Sequence, residues 1–453
     1  MVAIGVELLF PVLFLAALAA IARATLGSWL APGAFFPLFW TGLFVLCLGV
    51  NQYYPMWAPA LWWINFSLLL FYLGSLGGKL RRKSLSEPQG ERVPLDLPHL
   101  QRVTVICSVV GILYILFRER YAPDLLDKPP SWYQIFLGVL YAAPLFGGIL
   151  FADQTSWRAR AIALFSLLPA MFYAVASLGR SQLVLGIFFW AAAYWGTRTY
   201  RSHGKVRLLS FQMAALGVLF LIFAYVVGAV LGRLRDVGQL PLDERLASYG
   251  DVLHQADLGR DLEAFRGSVF GHPYSFSYYL NRTIDFPPTP RLGAYVFAGP
   301  LDLLGIVQRA PFENFTLDSG VESNVYTLFR PPIEDFGLLG SFVSFLVAGV
   351  IAGVSYSRIE SGDIRWLPVM TMFYPHVMVV GGLFFVYNSF VLAYVLLAAY
   401  LIVLNRRRGH RTASVAPRNS IHPAPHSAAA RRGSSGSDSA TYSAGGSECV
   451  PQS

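Results

Sequence analysis

The chain has 453 residues, 55% of them hydrophobic and 13% charged, with a mean hydropathy of +0.50 and a formal charge of +9. Soluble domains carry about 25% charged residues, so this composition excludes a water-soluble globular protein. The basic excess is no nucleic-acid groove either: the stretch after Leu404 holds seven Arg against Asp438 and Glu448 and so supplies +5 of the +9, and most of the rest lies in short loops between apolar runs.

Apolar runs long enough to cross a bilayer recur at 4–22, 35–51, 58–77, 101–117, 133–151, 160–177, 181–197, 208–231, 336–357, 366–385 and 387–404. They predict an all-α polytopic integral membrane protein with about 11 transmembrane helices and one large extracytoplasmic loop. The short alternating segments of a transmembrane β-barrel are not seen. The first run has no basic residues before it and carries Glu7, so it reads as a retained helix rather than a cleaved signal. Basic residues cluster in KLRRKSLSEPQGER after the third run, in TRTYRSHGKVR after the seventh, and in NRRRGHR after the last. An eleven-span path puts all three on one side. The bias of Lys and Arg toward the cytoplasm makes that side, and the C-terminus, cytoplasmic. The organisation expected is an N-terminal bundle over 1–231, an external loop over 232–335, a C-terminal bundle over 336–404 and a disordered basic tail over 405–453.

The loop begins with PLDERLASYGDVLHQADLGRDLEAF, whose leucines and valine recur at helical spacing. It then becomes rich in Gly, Pro and aromatics through GHPYSFSYYLNRTIDFPPTPRLGAYVFAGP, which reads as ordered loop. Over 232–335 there are nine Arg, no Lys and fourteen Asp or Glu. Arginine makes forked contacts with diphosphates and carboxylates, but with only four Lys in the whole chain a general preference for Arg accounts for this too.

The densest polar cluster is Asn324-Val325-Tyr326-Thr327-Leu328-Phe329-Arg330-Pro331-Pro332-Ile333-Glu334-Asp335-Phe336-Gly337, placed just before an apolar span. Charge at a membrane boundary is costly and marks a candidate site. Glu334 and Asp335 have a plainer reading as caps of the following helix, but capping does not explain Asn324, Tyr326 and Arg330 in the same window. Arg180, between two apolar runs, is either a snorkelling anchor or a cation facing a headgroup. Arg233 and Arg235 leave the eighth run on the same side. Arg282 and Arg291 flank TIDFPPTP. Tyr274, Phe276, Tyr278, Tyr279 and Tyr295 suit either sugar stacking or an interfacial belt. Cys47, Cys107 and Cys449 have no metal spacing, and His254 and His272 stand alone. No Gly-rich phosphate loop or catalytic triad order is present, so no cofactor or metal is expected.

SNVYTLFRPPIEDFGLLG resembles an element of the oligosaccharide repeat-unit polymerases, the O-antigen polymerase family of bacterial envelopes. RLGAYVFAGPLDLLGI resembles that family's short aromatic segment in the large external loop, and LGRSQLVLGIFFW its arginine-bearing hairpin. The resemblance covers three patches. It implies glycosyl transfer at the outer face of the inner membrane from one undecaprenyl-diphosphate-linked glycan to another, with inversion and with the lipid diphosphate leaving. It implies Arg180 and Arg330 on the diphosphate, Glu334 or Asp335 at the acceptor hydroxyl, and Asn324 and Tyr326 positioning sugar or phosphate. Arg233, Arg235, Arg282 and Arg291 are further substrate-binding candidates. A chain-length regulator and a lipid-linked-sugar flippase follow as partners, and nucleic acid does not. O-antigen ligases share the general frame but carry a His-Asn element where this chain reads Ser323-Asn324. A flippase needs charges scattered within its spans, and these runs are mostly clean.

Overall fold

The structure is a computed structural model, and it describes residues 6–49, 56–83, 95–121, 131–154, 156–176, 180–204, 258–285, 288–306, 315–316, 322–323, 327–378 and 388–415. In chain order the described helices are α1 (Val6–Leu26), α2 (Pro32–Gly49), α3 (Ala58–Lys83), α4 (Leu97–Tyr121), α5 (Ser131–Asp153), α6 (Trp157–Phe165), α7 (Leu168–Ala176), α8 (Arg180–Arg201), α9 (Leu258–Asp285), α10 (Ala298–Leu303), α11 (Arg330–Glu360), α12 (Leu367–Met378) and α13 (Asn388–Val415). A two-residue antiparallel ribbon joins β1 (Phe315–Thr316) to β2 (Glu322–Ser323), with Phe315 opposite Ser323. Residues 1–407 form one unit, and Arg408–Ser453 is a separate one.

The described helices include six stretches long and apolar enough to cross a membrane: Glu7–Leu26, Ala58–Arg81, Leu97–Phe117, Phe136–Asp153, Trp157–Ala176 and Arg330–Glu360. Pro32–Leu48 and Asn388–Val403 are apolar but shorter. The run predicted at 181–197 is the body of α8. The run at 366–385 is described as helix only over Leu367–Met378, and the run at 208–231 lies outside the described residues. The run at 160–177 is two helices rather than one. Pro169 has no N–H for the carbonyl of Phe165, and the break between α6 and α7 falls there, with the Ser166 hydroxyl donating to Ala163 O at 2.6 Å. At the other end of the chain α13 continues through the NRRRGHR stretch to Val415, past the predicted start of the tail at 405. Arginine is a good helix former, so basic content alone does not end a helix.

Two glycine pairs set the central packing. Gly74 and Gly78 on α3 face Gly349 and Gly353 on α11, a small-xxx-small spacing on both helices that lets backbones approach closely. A methyl at Gly349 would overlap the carbonyl of Phe71, one at Gly353 the carbonyl of Ser75, and one at Gly74 the carbonyl of Leu346. Ser75 Oγ uses the same proximity to donate to Gly349 O at 3.2 Å. Around this seam pack Phe36, Phe71 and Phe373, with the first two stacked at 4.3 Å.

Polar contacts gather the helix ends. Lys79 Nζ, at the end of α3, donates to Leu26 O of α1 at 2.6 Å and pairs with Glu360 of α11 at 3.2 Å. Gly204, just past α8, lies against the Glu360 carboxylate. Arg201 of α8 pairs with Asp153 at the end of α5. The C-terminal ends of α1, α3, α8 and α11 therefore share one end of the bundle, and those of α5 and α8 are joined in turn. Lys79, Arg81, Arg198 and Arg201, drawn from two of the predicted basic loops, all belong to this end.

Candidate active site

At the opposite end, the start of α3 meets α9, where Trp57 N donates to Ser277 Oγ at 2.7 Å. The sequence reading expected ordered loop from Gly271 onward, yet α9 runs as helix to Asp285, through Pro273. Phe276, Leu280 and Thr283 are buried along one face. This i, i+4, i+7 stripe is a helical signal that the Gly and Pro content obscured. The helix it forms predicts a wall for the motif at the head of α11.

Phe329 plants that motif. It is fully buried, with its ring 5.1 Å from Trp40, 5.1 Å from Phe345 and 5.6 Å from Phe276. Pro331 and Pro332 then fill the first turn, where missing N–H groups cost nothing, and α11 opens at Arg330. The helix is interrupted at Gly337, whose backbone (φ +70°, ψ −179°) lies in a region open essentially to glycine alone. Arg330 to Phe336 thus forms a short head whose direction is set apart from the long apolar body.

On that head Arg330 and Glu334 are both buried and form an i,i+4 ion pair, Nε to Oε1 at 3.1 Å. The guanidinium also lies 4.5 Å from the centre of the Tyr279 ring, supplied by α9. Burial pushes the Tyr279 phenol pKa up, and the neighbouring Glu334 carboxylate pushes it the same way. Tyr295 is pushed in the same direction. Burial raises it first, then Glu334, against the lowering pull of Arg291 and Arg330. The Arg291 guanidinium sits 5.2 Å over that ring. Two phenols therefore flank one buried salt bridge, a desolvated guanidinium beside a carboxylate.

Asp335 has a different role from the one its sequence position suggests. The following helix does not use it as a cap. Its carboxylate, fully buried, accepts Tyr295 N at 2.9 and 3.1 Å and Val296 N at 2.6 Å. Arg291 N and Leu292 N donate to the carbonyls of Glu334 and Asp335 at 3.2 and 3.0 Å. Asp335 clamps the segment 291–296 onto the head of α11, and with its oxygens engaged by main chain it is not a free base. This is a positioning role not expected of Asp335 from the sequence.

Of the predicted site residues, the structure brings together Arg330, Glu334, Asp335 and Arg291. Arg282 is exposed in the last turn of α9. Arg180 opens α8, and its side chain lies outside the described residues, as do Arg233, Arg235, Asn324, Tyr326 and His254. Among the five aromatics proposed for sugar stacking, Phe276 is core, and Tyr279 and Tyr295 serve the ion pair. Ser277 was missed, and its contact to Trp57 has no local signal. Compared with family models, with curated proteins and with solved structures, the chain matches none.

Proposed function

We propose that this chain is a membrane glycosyltransferase that joins undecaprenyl-diphosphate-linked oligosaccharide repeat units into a polysaccharide at the outer face of a bacterial inner membrane. The observation that carries the reading is the buried Arg330–Glu334 pair at the head of a membrane-length helix, flanked by Tyr279 and Tyr295. A buried ion pair is expensive to desolvate and is weak as a device for stability alone, so its presence asks for another purpose.

In the proposed reaction an acceptor sugar hydroxyl attacks the anomeric carbon of the donor. The C–O bond to the lipid diphosphate breaks, and the diphosphate takes the electron pair. Arg330 stabilises the charge that grows on the leaving group, and Glu334 takes the acceptor proton. The resemblance of RLGAYVFAGP and of the Arg330–Gly337 stretch to the polymerase family supports the same reading, with Arg180, Asn324 and Tyr326 as further candidates. A chain-length regulator and a lipid flippase are the partners such an enzyme requires.

The test is the surface-glycan profile of a deletion strain of the source organism complemented with Arg330→Ala or Glu334→Gln at equal protein level. We expect single lipid-linked repeats and no ladder in the deletion, and no ladder restored by either variant. Full ladders from both variants overturn the assignment. Unattached long polymer in the deletion indicates a ligase, and repeats held on the cytoplasmic leaflet indicate a transporter.

A further inference from the structure

The segment after α9 shows apolar side chains where the protein's own core does not reach. Leu292 is 84% exposed, and Leu304 and Ile306 at the far end of the same segment are 70% and 65% exposed. Leu292 is held with φ at +49°, a left-handed conformation in which a large residue is a rare outlier. Strain of this kind persists only where the surroundings over-determine it. Here they do: its N–H is tied to the Asp335 carbonyl, and the next turn is fixed by the Asp335 carboxylate. The clamp spends its hydrogen bonds on a turn that turns a leucine outward.

What lies beside Leu292 identifies the medium. Asp335, its bonding partner, stands four residues before Leu339, across the break at Gly337, and Leu339 is 81% exposed. From Leu339 the exposed apolar positions continue down α11 through Val343, Val347, Val350 and Ile351, the face a membrane-length helix presents to acyl chains. Leu292, tied by its N–H to Asp335 on the head of that helix, lies next to the start of this face. On its flank Arg291 lies over the Tyr295 ring at 5.2 Å, the basic and aromatic pairing that settles at the headgroup level.

We infer that the segment Arg291–Ile306 is seated in the bilayer interface, with Leu292, Leu304 and Ile306 among the acyl chains of the monolayer next to the Arg330–Glu334 pair and Arg291 at the phosphates. The partner of this surface is lipid, and the inference does not depend on the chain being a glycosyltransferase.

A nitroxide on Leu292→Cys tests it in the full chain, in a Cys107→Ala, Cys449→Ser background that keeps the buried Cys47, reconstituted in phosphatidylethanolamine–phosphatidylglycerol vesicles. Collision with dissolved oxygen, which partitions into lipid, is compared with collision with a water-soluble nickel chelate. Labels at Leu339→Cys and at the exposed Asp285→Cys give the lipid and water references. The expected oxygen-to-chelate ratio at 292 equals that at 339 and exceeds that at 285. A ratio at 292 equal to that at 285, or shielding from both reagents by protein or a second copy, overturns the inference. Ile306→Cys gives a second, independent reading with the same expected outcome.

Discussion

Asp335 shows how much a single side chain can be asked to do at the boundary of a membrane. It holds two backbone N–H groups 40 and 39 residues upstream, and that of Val296 is buried with it. Asp335→Ala leaves them unpaired, at about 1–3 kcal/mol for each buried donor abandoned. Asp335→Asn keeps the shape but offers one acceptor oxygen in place of two. We expect a lower melting temperature in detergent for both, larger for Ala, and a loss of glycan-ladder formation that follows the loss of the folded turn. Asp335→Asn with unchanged melting temperature contradicts the clamp. The clamp was illegible in the sequence because its partner is main chain, which carries no residue-type signal, and because nothing local distinguishes a carboxylate that caps its own helix from one that caps a distant turn. Arg330 and Glu334, by contrast, were legible as charges gathered before an apolar run, although their i,i+4 pairing with each other was not read from the sequence.

At the scale of elements, α11 is the decisive one. Its 31 residues would span about 46 Å as a straight helix at 1.5 Å per residue, well beyond the roughly 30 Å of hydrocarbon. The break at Gly337 divides this length into a head that carries the ion pair and a body of membrane length. A Cβ at Gly337 meets no neighbour within 4 Å, so the cost of Gly337→Ala comes from the backbone alone, about 1–3 kcal/mol for a non-glycine residue held there. We expect a fall in thermal stability of that order together with displacement of Arg330 from the Tyr279 ring, read as a loss of ladder formation. Equal stability and equal activity in Gly337→Ala would refute the requirement. The long apolar helices were legible because hydropathy is a property of every residue in them. The start of α9, Leu258–Phe265, was legible by its helical spacing, but its continuation to Asp285 was not, because Gly271 and Pro273 signal a break that burial of Phe276, Leu280 and Thr283 overrides.

At the scale of the whole molecule, the two polar clusters lie at opposite ends of α11, with Arg330 at its start and Glu360 at its finish. The basic loops near Lys79 and Arg201 group with Glu360, and the orientation we propose from their Lys and Arg bias puts that end in the cytoplasm and the Arg330 end outside. Cysteine labelling checks this directly. An impermeant thiol reagent added to intact cells lacking the outer permeability barrier is expected to modify Asp285→Cys and to spare Arg365→Cys, which follows the end of α11 in an exposed turn. The reverse pattern inverts the topology. Between the two ends runs the glycine seam, and it has a consequence for how this protein can vary over generations. Most buried contacts tolerate change because a neighbour can shrink when a residue grows. At Gly349 and Gly353 the neighbours are the carbonyls of Phe71 and Ser75, and a peptide group has no smaller allele. No compensating substitution exists on the opposing helix, so these positions cannot drift in step with a partner and are barred from the gradual, paired exchange by which other cores change their sequence.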